Sequence, residues 1–143
     1  MSESPSLHSR REITLRFDIP ISKTREFWES LKNGKFVTTK CSKCGHVSFP
    51  PQADCPRCMS GESQWVDIGR DAILVTFTHI RMAPSSFAKS EPYVIAIGEL
   101  TGGVKVLAWL EGTKPEDARP GIGLRVEPRT SAEGNPYYVF VRA

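Results

Sequence analysis

The alternation of apolar and polar residues changes along this chain, and each change marks a new kind of structure. The first dozen residues are polar, which predicts a loose tail. Ile13, Leu15 and Phe17 then alternate with polar neighbours. A period of two residues predicts a short extended segment, and Pro20 ends it. We therefore place a tail and an extended segment over residues 1–21.

A helical period follows the extended segment. Apolar side chains recur three and four residues apart, which predicts an amphipathic helix over residues 23–33. Ser22 is the candidate N-cap residue, and Gly34 is the candidate left-handed residue after the C-terminus. A stripe of this kind more often packs against the body of a protein than it recognises a partner. The stripe consists of Phe27, Trp28 and Leu31.

The second half of the chain has the composition of β-strands. Five short runs rich in Val, Ile, Tyr, Phe and Thr are separated by Gly, Pro, Asn and Ser. Thr101-Gly102-Gly103 lies between two of the runs and predicts a tight hairpin turn. Five strands predict a mainly β domain over residues 67–143, a small barrel for which the OB-fold is the commonest arrangement and an SH3-like barrel the alternative. The runs are DAILVTFTHIRM, PYVIAIGELTG, VKVLAWLEG, GLRVEPRT and NPYYVFVRA.

Composition and charge narrow the range of functions. Among 143 residues, 19 Lys and Arg stand against 16 Asp and Glu, so the formal net charge is +3. This charge is small for a protein that neutralises many phosphates. No segment approaches the roughly 18 apolar residues that a membrane span requires, and the N-terminus lacks the apolar core of a signal peptide. We expect a cytoplasmic protein with no membrane partner and with reduced cysteines.

All four cysteines lie in two C-x2-C pairs, Cys41-Ser-Lys-Cys44 and Cys55-Pro-Arg-Cys58, ten residues apart. A tight turn between paired thiolates lets both reach one ion, and two such pairs supply a tetrahedron of sulfur ligands. The pattern therefore predicts one structural zinc ion within a helix-and-ribbon module over residues 22–66, with iron in a rubredoxin-like site as the alternative. Neither pair opens a helix in a βαβ unit, which disfavours a thioredoxin-like redox role.

The chain offers few groups that could perform catalysis. His79 continues the alternation of Ile73, Val75 and Phe77, which is typical of a hydrogen-bonded histidine in a strand. Glu99 ends one predicted strand, but nothing in the sequence pairs it with a second acid or base. No G-x-S-x-G nucleophile motif is present. The sequence therefore favours a protein without catalytic activity of its own.

Two features of the barrel are candidates for binding. The connection over residues 81–92 is long for a hairpin, and long loops on small barrels often carry binding residues, although a linker stiffened by prolines is the alternative. Trp109 has the opposite parity to its apolar neighbours in the strand and shares a face with Lys105 and Glu111. It is therefore either a partly exposed binding residue or a residue that packs under the N-terminal helix.

The order of these motifs resembles a known family, the zinc-ribbon and OB-fold proteins associated with acyl-CoA enzymes. The resemblance extends from about residue 27 to the C-terminus, and it lies in the combination of motifs more than in any one of them. It implies an N-terminal helix, a rubredoxin-like zinc ribbon and a C-terminal OB-fold. The motifs are FWESLKNGKF, CSKCGHVSFPPQADCPRC, Trp65-Val66 and PYVIAIGEL.

This resemblance implies the function of an accessory subunit. Members of the family are non-catalytic partners of thiolases, of hydroxymethylglutaryl-CoA synthase and of thiolase-like aldolases, and they help to hold the acyl-CoA thioester. By resemblance, Cys41, Cys44, Cys55 and Cys58 are the zinc ligands.

Three residues of the long loop are candidates for contact with acyl-CoA on physical grounds. Arg81 and Lys89 supply cations for the CoA phosphates, and Phe87 supplies an apolar surface for pantetheine or adenine.

Three hypotheses follow for the function of the chain. The first is an accessory subunit of a thiolase or hydroxymethylglutaryl-CoA synthase type enzyme, supporting acyl-CoA and lipid metabolism. The second is a single-stranded nucleic-acid-binding module, because zinc ribbons and OB-folds both serve that purpose and OB-fold aromatics stack bases. The near-neutral charge counts against the second. The third is an acyl-CoA hydrolase or transferase, for which the only nameable groups are His79 and Glu99.

Overall fold

The computed structural model describes residues 16–82, 84–90 and 92–143, with residues 88–90 described by their backbone alone. One helix precedes a small sheet, and a larger barrel follows. Two short 3-10 helices lie in the connections of the barrel. The elements in chain order are α1 (Arg25–Lys32), β1 (Val37–Cys41), β2 (Val47–Ser48), β3 (Ser63–Asp67), β4 (Asp71–Ile80), a 3-10 helix (Ser85–Ser90), β5 (Tyr93–Leu100), β6 (Lys105–Glu111), a second 3-10 helix (Pro115–Asp117), β7 (Gly123–Thr130) and β8 (Pro136–Arg142).

Helix α1 is shorter at its N-terminus than the sequence predicts. The expected N-cap, Ser22, belongs to a turn in which the backbone N–H of Thr24 donates to the carbonyl of Ile21 at 2.9 Å. Because that turn takes up the preceding residues, the helix begins at Arg25, and Thr24 makes no side-chain cap. The C-terminal prediction is confirmed, since Gly34 has a φ of +75°. Within the described ranges, no helix is long and apolar enough to cross a membrane.

The ribbon is a three-stranded antiparallel sheet in the order β2-β1-β3. The central strand β1 pairs with β3 along its whole length and with β2 at Thr39 and Lys40. Thr38 is fully buried in this sheet, and its hydroxyl donates to the carbonyl of Ser48. Cys41 ends β1, and Cys44 lies in the connection from β1 to β2.

The barrel is closed and has the strand order β4-β5-β6-β8-β7. Neighbouring strands are antiparallel except β6 and β8, which are parallel. This is the arrangement of an OB-fold, which confirms the predicted class. The barrel interior is tight: a Cβ added to Gly98 on β5 would lie 2.6 Å from the ring of Phe140 on β8, so only glycine fits there.

A bulge in β4 breaks the alternation that the sequence suggests. The pairing of β4 with β5 shifts between Leu74 and Thr76, so an additional residue occupies the strand. Ile73, before the bulge, is exposed, whereas Phe77, after it, is partly buried against the core. The expectation that Ile73, Phe77 and His79 share one face is therefore wrong, because a bulge reverses the parity of every residue after it.

A cluster of four aromatic rings joins the helix, the ribbon and the barrel. Phe36, which precedes β1, lies at its centre and is 1% exposed. Its ring centroid is 5.9 Å from that of Phe27 on α1, 5.3 Å from that of Phe49 in the ribbon and 5.4 Å from that of Tyr138 on β8. These edge-on and tilted contacts are the preferred aromatic geometry. We call these four residues the aromatic junction.

Candidate functional site

The two cysteine pairs form matching turns. In the first, the backbone N–H of Gly45 donates to the carbonyl of Cys41 at 3.0 Å; in the second, the N–H of Met59 donates to the carbonyl of Cys55 at 2.9 Å. Gly45 and Met59 each follow the second cysteine of their pair, and both have positive φ, +73° and +61°. Left-handed backbone at these positions closes each turn sharply, at a modest cost for Met59.

The turns bring all four sulfurs to one point. The Sγ atoms of Cys41, Cys44, Cys55 and Cys58 all lie within 4.8 Å of one another. The Sγ atoms of Cys41 and Cys58 are 3.6 Å apart, and the Sγ atoms of Cys44 and Cys55 are also 3.6 Å apart. A tetrahedron with metal–sulfur bonds of about 2.3 Å has sulfur separations of about 3.8 Å. The four cysteines are thus arranged to bind one metal ion.

Backbone N–H groups near the sulfurs favour the thiolate forms of Cys41 and Cys55, which are the forms that bind a metal cation. The N–H of Cys44, assisted by that of Lys43, lowers the pKa of Cys41 to about 6. The N–H of Cys58 likewise lowers the pKa of Cys55. Although the N–H of Ser60 favours a thiolate at Cys58, desolvation and the neighbouring sulfurs raise the pKa of Cys58 to about 11. Several thiolates this close repel one another, and a bound cation is what offsets that repulsion.

A stack of aromatic rings lies on the outer face of the barrel. Trp109 on β6 and Tyr93 on β5 have centroids 4.4 Å apart and nearly parallel planes. Phe87 from the 3-10 helix between β4 and β5 lies 5.9 Å from Trp109 and 6.3 Å from Tyr93. Phe87 is 42% exposed, and the other two rings are half-buried. We call these three residues the aromatic stack.

Trp109 also lines an apolar groove of about 660 Å³. Strands β6 and β8 pair only at Leu110 with Phe140 and at Glu111 with Val141, so they diverge beyond that point and leave a gap. A volume of this size is typical of sites for small molecules and cofactors. The groove is lined by Trp28, Leu107, Ala108, Trp109, Glu111, Ser131, Ala132, Pro136, Tyr137, Tyr138 and Val139.

One ion-pair network borders the groove. Arg129 on β7 contacts Glu111 at 3.5 Å and Glu127 at 2.7 Å. The hydrogen bond from Arg129 lowers the pKa of Glu127, and that bond together with both carboxylates raises the pKa of Arg129. Glu111 therefore faces a cation of its own chain, and the groove keeps a mainly uncharged lining.

The predicted loop residues differ in their positions. Phe87 belongs to the aromatic stack, as described. Arg81 follows β4 directly and is exposed, and the side chain of Lys89 lies outside the described part of the chain. Trp109 stacks on Tyr93 and lines the groove together with Trp28 of helix α1. Sequence reasoning missed Tyr93, since a tyrosine that opens a strand carries no distinguishing signal.

His79 and Glu99 are not brought together. His79 on β4 pairs with Val94, five residues before Glu99 on β5, a separation of about 17 Å along the strand. Among the described residues, the buried Nε2 of His79 has no hydrogen-bond partner, so the expectation of a hydrogen-bonded histidine is not met. Glu99 is exposed. These two residues do not form an acid–base pair.

Two family models match consecutive parts of the chain. Residues 28–63 match the rubredoxin-like zinc ribbon domain of ChsH2, and residues 65–131 match the C-terminal OB-fold domain of ChsH2.

The chain is similar to proteins of known name or structure. A DUF35 domain-containing scaffold protein of Methanocaldococcus jannaschii is 33% identical over 102 residues, which cover 70% of this chain and 71% of the relative. The benzoylsuccinyl-CoA thiolase subunit BbsA of Thauera aromatica is 29% identical over 73 residues, covering 51% of this chain and 49% of BbsA. A chain of the Ltp2-ChsH2(DUF35) aldolase structure superposes with a TM-score of 0.75 at 23% identity, over 89% of this chain and 98% of that one. This last likeness concerns the fold.

Proposed function

This chain belongs to the ChsH2 family of zinc-ribbon and OB-fold proteins, and on that premise we propose that it is a non-catalytic accessory subunit that binds acyl-CoA and associates with a thiolase-superfamily enzyme. The names of its relatives support this role: a scaffold protein, a thiolase subunit and a partner within an aldolase. The observation that carries the proposal is the aromatic stack beside an apolar groove on the ligand-binding face of an OB-fold. Such a subunit supports acyl-CoA and lipid metabolism.

The metal in this proposal is one zinc ion held by Cys41, Cys44, Cys55 and Cys58. Zinc suits four thiolates in a tetrahedron, and iron in a rubredoxin-like site is the alternative. Four cysteine ligands leave no position open for water or substrate, so the ion stabilises the ribbon and does not act on the acyl group.

The acyl-CoA in this proposal lies along the aromatic stack and the groove. The exposed ring of Phe87 extends the stacked faces of Trp109 and Tyr93, which suits the adenine ring or the apolar pantetheine arm. Arg81 and Lys89, which flank Phe87 in sequence, supply cations for the phosphates. The mainly uncharged groove next to Trp109 receives the apolar acyl group.

The non-catalytic assignment rests on the same geometry. The groove residues are aromatic, aliphatic or small, and its carboxylate, Glu111, is paired with Arg129. His79 and Glu99, the candidates for a hydrolase or transferase, lie apart on different strands. The chemistry in this proposal therefore belongs to the partner enzyme.

Binding of single-stranded nucleic acid is the second candidate function, because bases stack on aromatic side chains exposed on the face of an OB-fold. The charges on that face count against it. Glu99 lies opposite Lys105 in the β5–β6 register, and Glu111 lies in the groove, so acidic residues accompany the basic one where phosphates would run.

Replacing Trp109 by alanine is expected to weaken acyl-CoA binding about tenfold or more, because one stacked aromatic face is lost. The wild-type chain, tagged and treated with nuclease, is first purified from its own cells with its enzyme partner. The Kd for acyl-CoA is then measured on that complex by calorimetry, for the wild-type chain and for Trp109→Ala.

Arg81→Ala is expected to weaken binding of CoA more than binding of a pantetheine thioester that lacks the phosphates.

The control is Ile73→Ala, which removes an exposed apolar side chain from the outer face of β4, outside the aromatic stack and the groove. Equal acyl-CoA affinity in the Trp109→Ala and Ile73→Ala complexes would refute the groove assignment. Recovery of only nucleic-acid-associated proteins, lost on nuclease treatment, would instead support the second candidate.

A further inference from the structure

A second cavity lies where the ribbon meets the barrel, and its volume is about 680 Å³. Three segments line it: residues 44–49 with Gln52 of the ribbon, residues 56 and 57 in the second cysteine turn, and residues 102–105 at the turn between β5 and β6. A volume of this size is typical of sites for small molecules. We call this cavity the ribbon–barrel cleft.

The charged side chains that line the ribbon–barrel cleft are basic. Arg57 belongs to the ribbon, Lys105 belongs to the barrel, and the imidazole of His46 adds a third side chain with ring nitrogens. Among the described residues, no Asp or Glu lines the cleft. In the same part of the chain, neither Arg57 nor Lys105 forms an ion pair. Both cations are therefore available to an anion that enters the cleft.

The carboxylates closest in register or sequence lie elsewhere. Glu99 is the register partner of Lys105, but it lines a different cavity beside Ile73. Asp54 lies next to Gly61, because a Cβ added to Gly61 would be 3.2 Å from a carboxylate oxygen of Asp54. The positive charge of the cleft is thus not offset by an acid that shares its lining.

The cysteine site offers a competing explanation for these cations. Four thiolates outweigh the charge of one divalent ion, and Cys44 lines the cleft. Arg57 lies in the same turn as Cys55 and Cys58, so its charge also favours the thiolates. Neutralising sulfur atoms requires no open cavity of this volume, however. Measurements of metal content and of ligand binding therefore separate the two explanations.

A glycine keeps one wall of the cleft open. In the turn between β5 and β6, Gly103 has a φ of +79°, a conformation that favours glycine. Gly102 lacks a positive φ, and a Cβ built on it would meet no atom within 4 Å. The fold itself therefore tolerates a side chain at position 102. A ligand that lies against the backbone there would not tolerate one.

We propose that the ribbon–barrel cleft binds the phosphate groups of a small molecule, with Arg57 and Lys105 as their cations and the backbone at Gly102 as an open wall. The fork of N–H groups on arginine matches two phosphate oxygens, and lysine adds a point charge. The cleft shares no lining residue with the groove beside Trp109, so this site is separate from the one in the proposed function. Lys105 and Trp109 are four residues apart on β6, about 13 Å along the strand.

The test uses the metal-bound full-length chain without its enzyme partner, and two probes, inorganic pyrophosphate and CoA. The Kd of each probe is measured by calorimetry. Arg57→Gln with Lys105→Gln is expected to weaken pyrophosphate binding about a hundredfold, because two charge-assisted contacts are lost. The matched control is Lys114→Gln with Arg119→Gln, which removes the same two charges from exposed positions outside the cleft and the groove. The control should bind pyrophosphate within about twofold of wild type.

Gly102→Leu tests the shape of the cleft with its charges intact. A leucine side chain narrows the cavity, so we expect pyrophosphate to bind at least about tenfold more weakly. Because a Cβ at this position meets no neighbouring atom, the midpoint of urea unfolding should stay the same. Metal content, measured for every variant, should remain at the wild-type value.

The CoA probe identifies the source of the phosphate. A fall in CoA affinity in the Arg57 and Lys105 double variant would assign the phosphates to CoA, and absent or unchanged CoA binding would assign them to another phosphate ester. Either result supports the site if pyrophosphate binding falls.

Three results would overturn the phosphate site. The first is a wild-type chain that binds no pyrophosphate, or a double variant that binds it as well as wild type. The second is a double variant that loses its metal ion but still binds pyrophosphate, which would assign the cations to the thiolates. The third is a single-stranded oligonucleotide that binds more tightly than pyrophosphate and is lost in the double variant. Because the enzyme is absent from this test, failure of the site leaves the accessory role intact.

Discussion

Removal of the metal ion is expected to unfold the ribbon, residues 37–67, while the barrel keeps its strands. The ribbon has little apolar core of its own: its buried residues include Thr38, Thr39 and Ser48 beside two of the cysteines. A structural zinc site contributes about 10 kcal/mol or more of apparent folding free energy, which far exceeds what these contacts could supply. Chelation should therefore abolish the near-ultraviolet circular dichroism of Trp65, which lies on β3. Elemental mass spectrometry should find one zinc or iron ion per chain before chelation.

A single substitution distinguishes the effect of losing the metal ion from other effects of the chelator on the chain. Cys44→Ser removes one sulfur with almost no change in volume and should reproduce the chelated spectrum. Ser42→Ala changes an exposed side chain in the same turn and should leave metal content unchanged. A chelated chain that retained the full Trp65 signal would show that the ribbon folds without the ion.

Local patterns account for most of the architecture. Each of the five predicted runs contains one barrel strand, because β-branched and aromatic residues bounded by Gly, Pro and Asn are strong local signals. The cysteine pairs were also predictable, since a turn between two thiolates depends on neighbours in sequence. The first residue of the helix could not be predicted, because the turn over Ser22 to Thr24 competes with a side-chain cap at Ser22.

Features that depend on pairing across the barrel could not be predicted. The bulge in β4 follows from its register with β5, and it reverses the parity that had placed His79 with Ile73. The aromatic stack likewise depends on register: Trp109 pairs with Ile95 on β5, two residues from Tyr93. Sequence reasoning singled out Phe87 from its loop and Trp109 from its parity. It had no means of placing the two rings 5.9 Å apart.

The aromatic junction packs the ribbon against the helix and the barrel. Its members come from α1, from the segment before β1, from the end of β2 and from β8, so they bridge parts of the chain that would otherwise be linked by short connections. Within the junction, Phe49 of the ribbon contacts both Phe27 on α1 and Tyr138 on β8. Tyr138 in turn lines the groove, and burial raises the pKa of its hydroxyl. Packed residues thus connect the cysteine site to the groove.

Phe36→Ala is expected to destabilise the folded chain by about 3–5 kcal/mol, the range for loss of a fully buried aromatic ring. Phe36 touches all three other members of the junction, so a cavity there also weakens the contact between ribbon and barrel. Urea unfolding of the metal-bound protein measures the loss. Phe36→Leu, which keeps most of the volume, should lose less than half as much and guards against a variant that does not fold. Phe87→Ala, which removes an exposed ring, is the control and should lose less than about 1 kcal/mol. If Phe36→Ala and Phe87→Ala proved equally stable, the ribbon and the barrel would be independent units, and the groove would not depend on the metal.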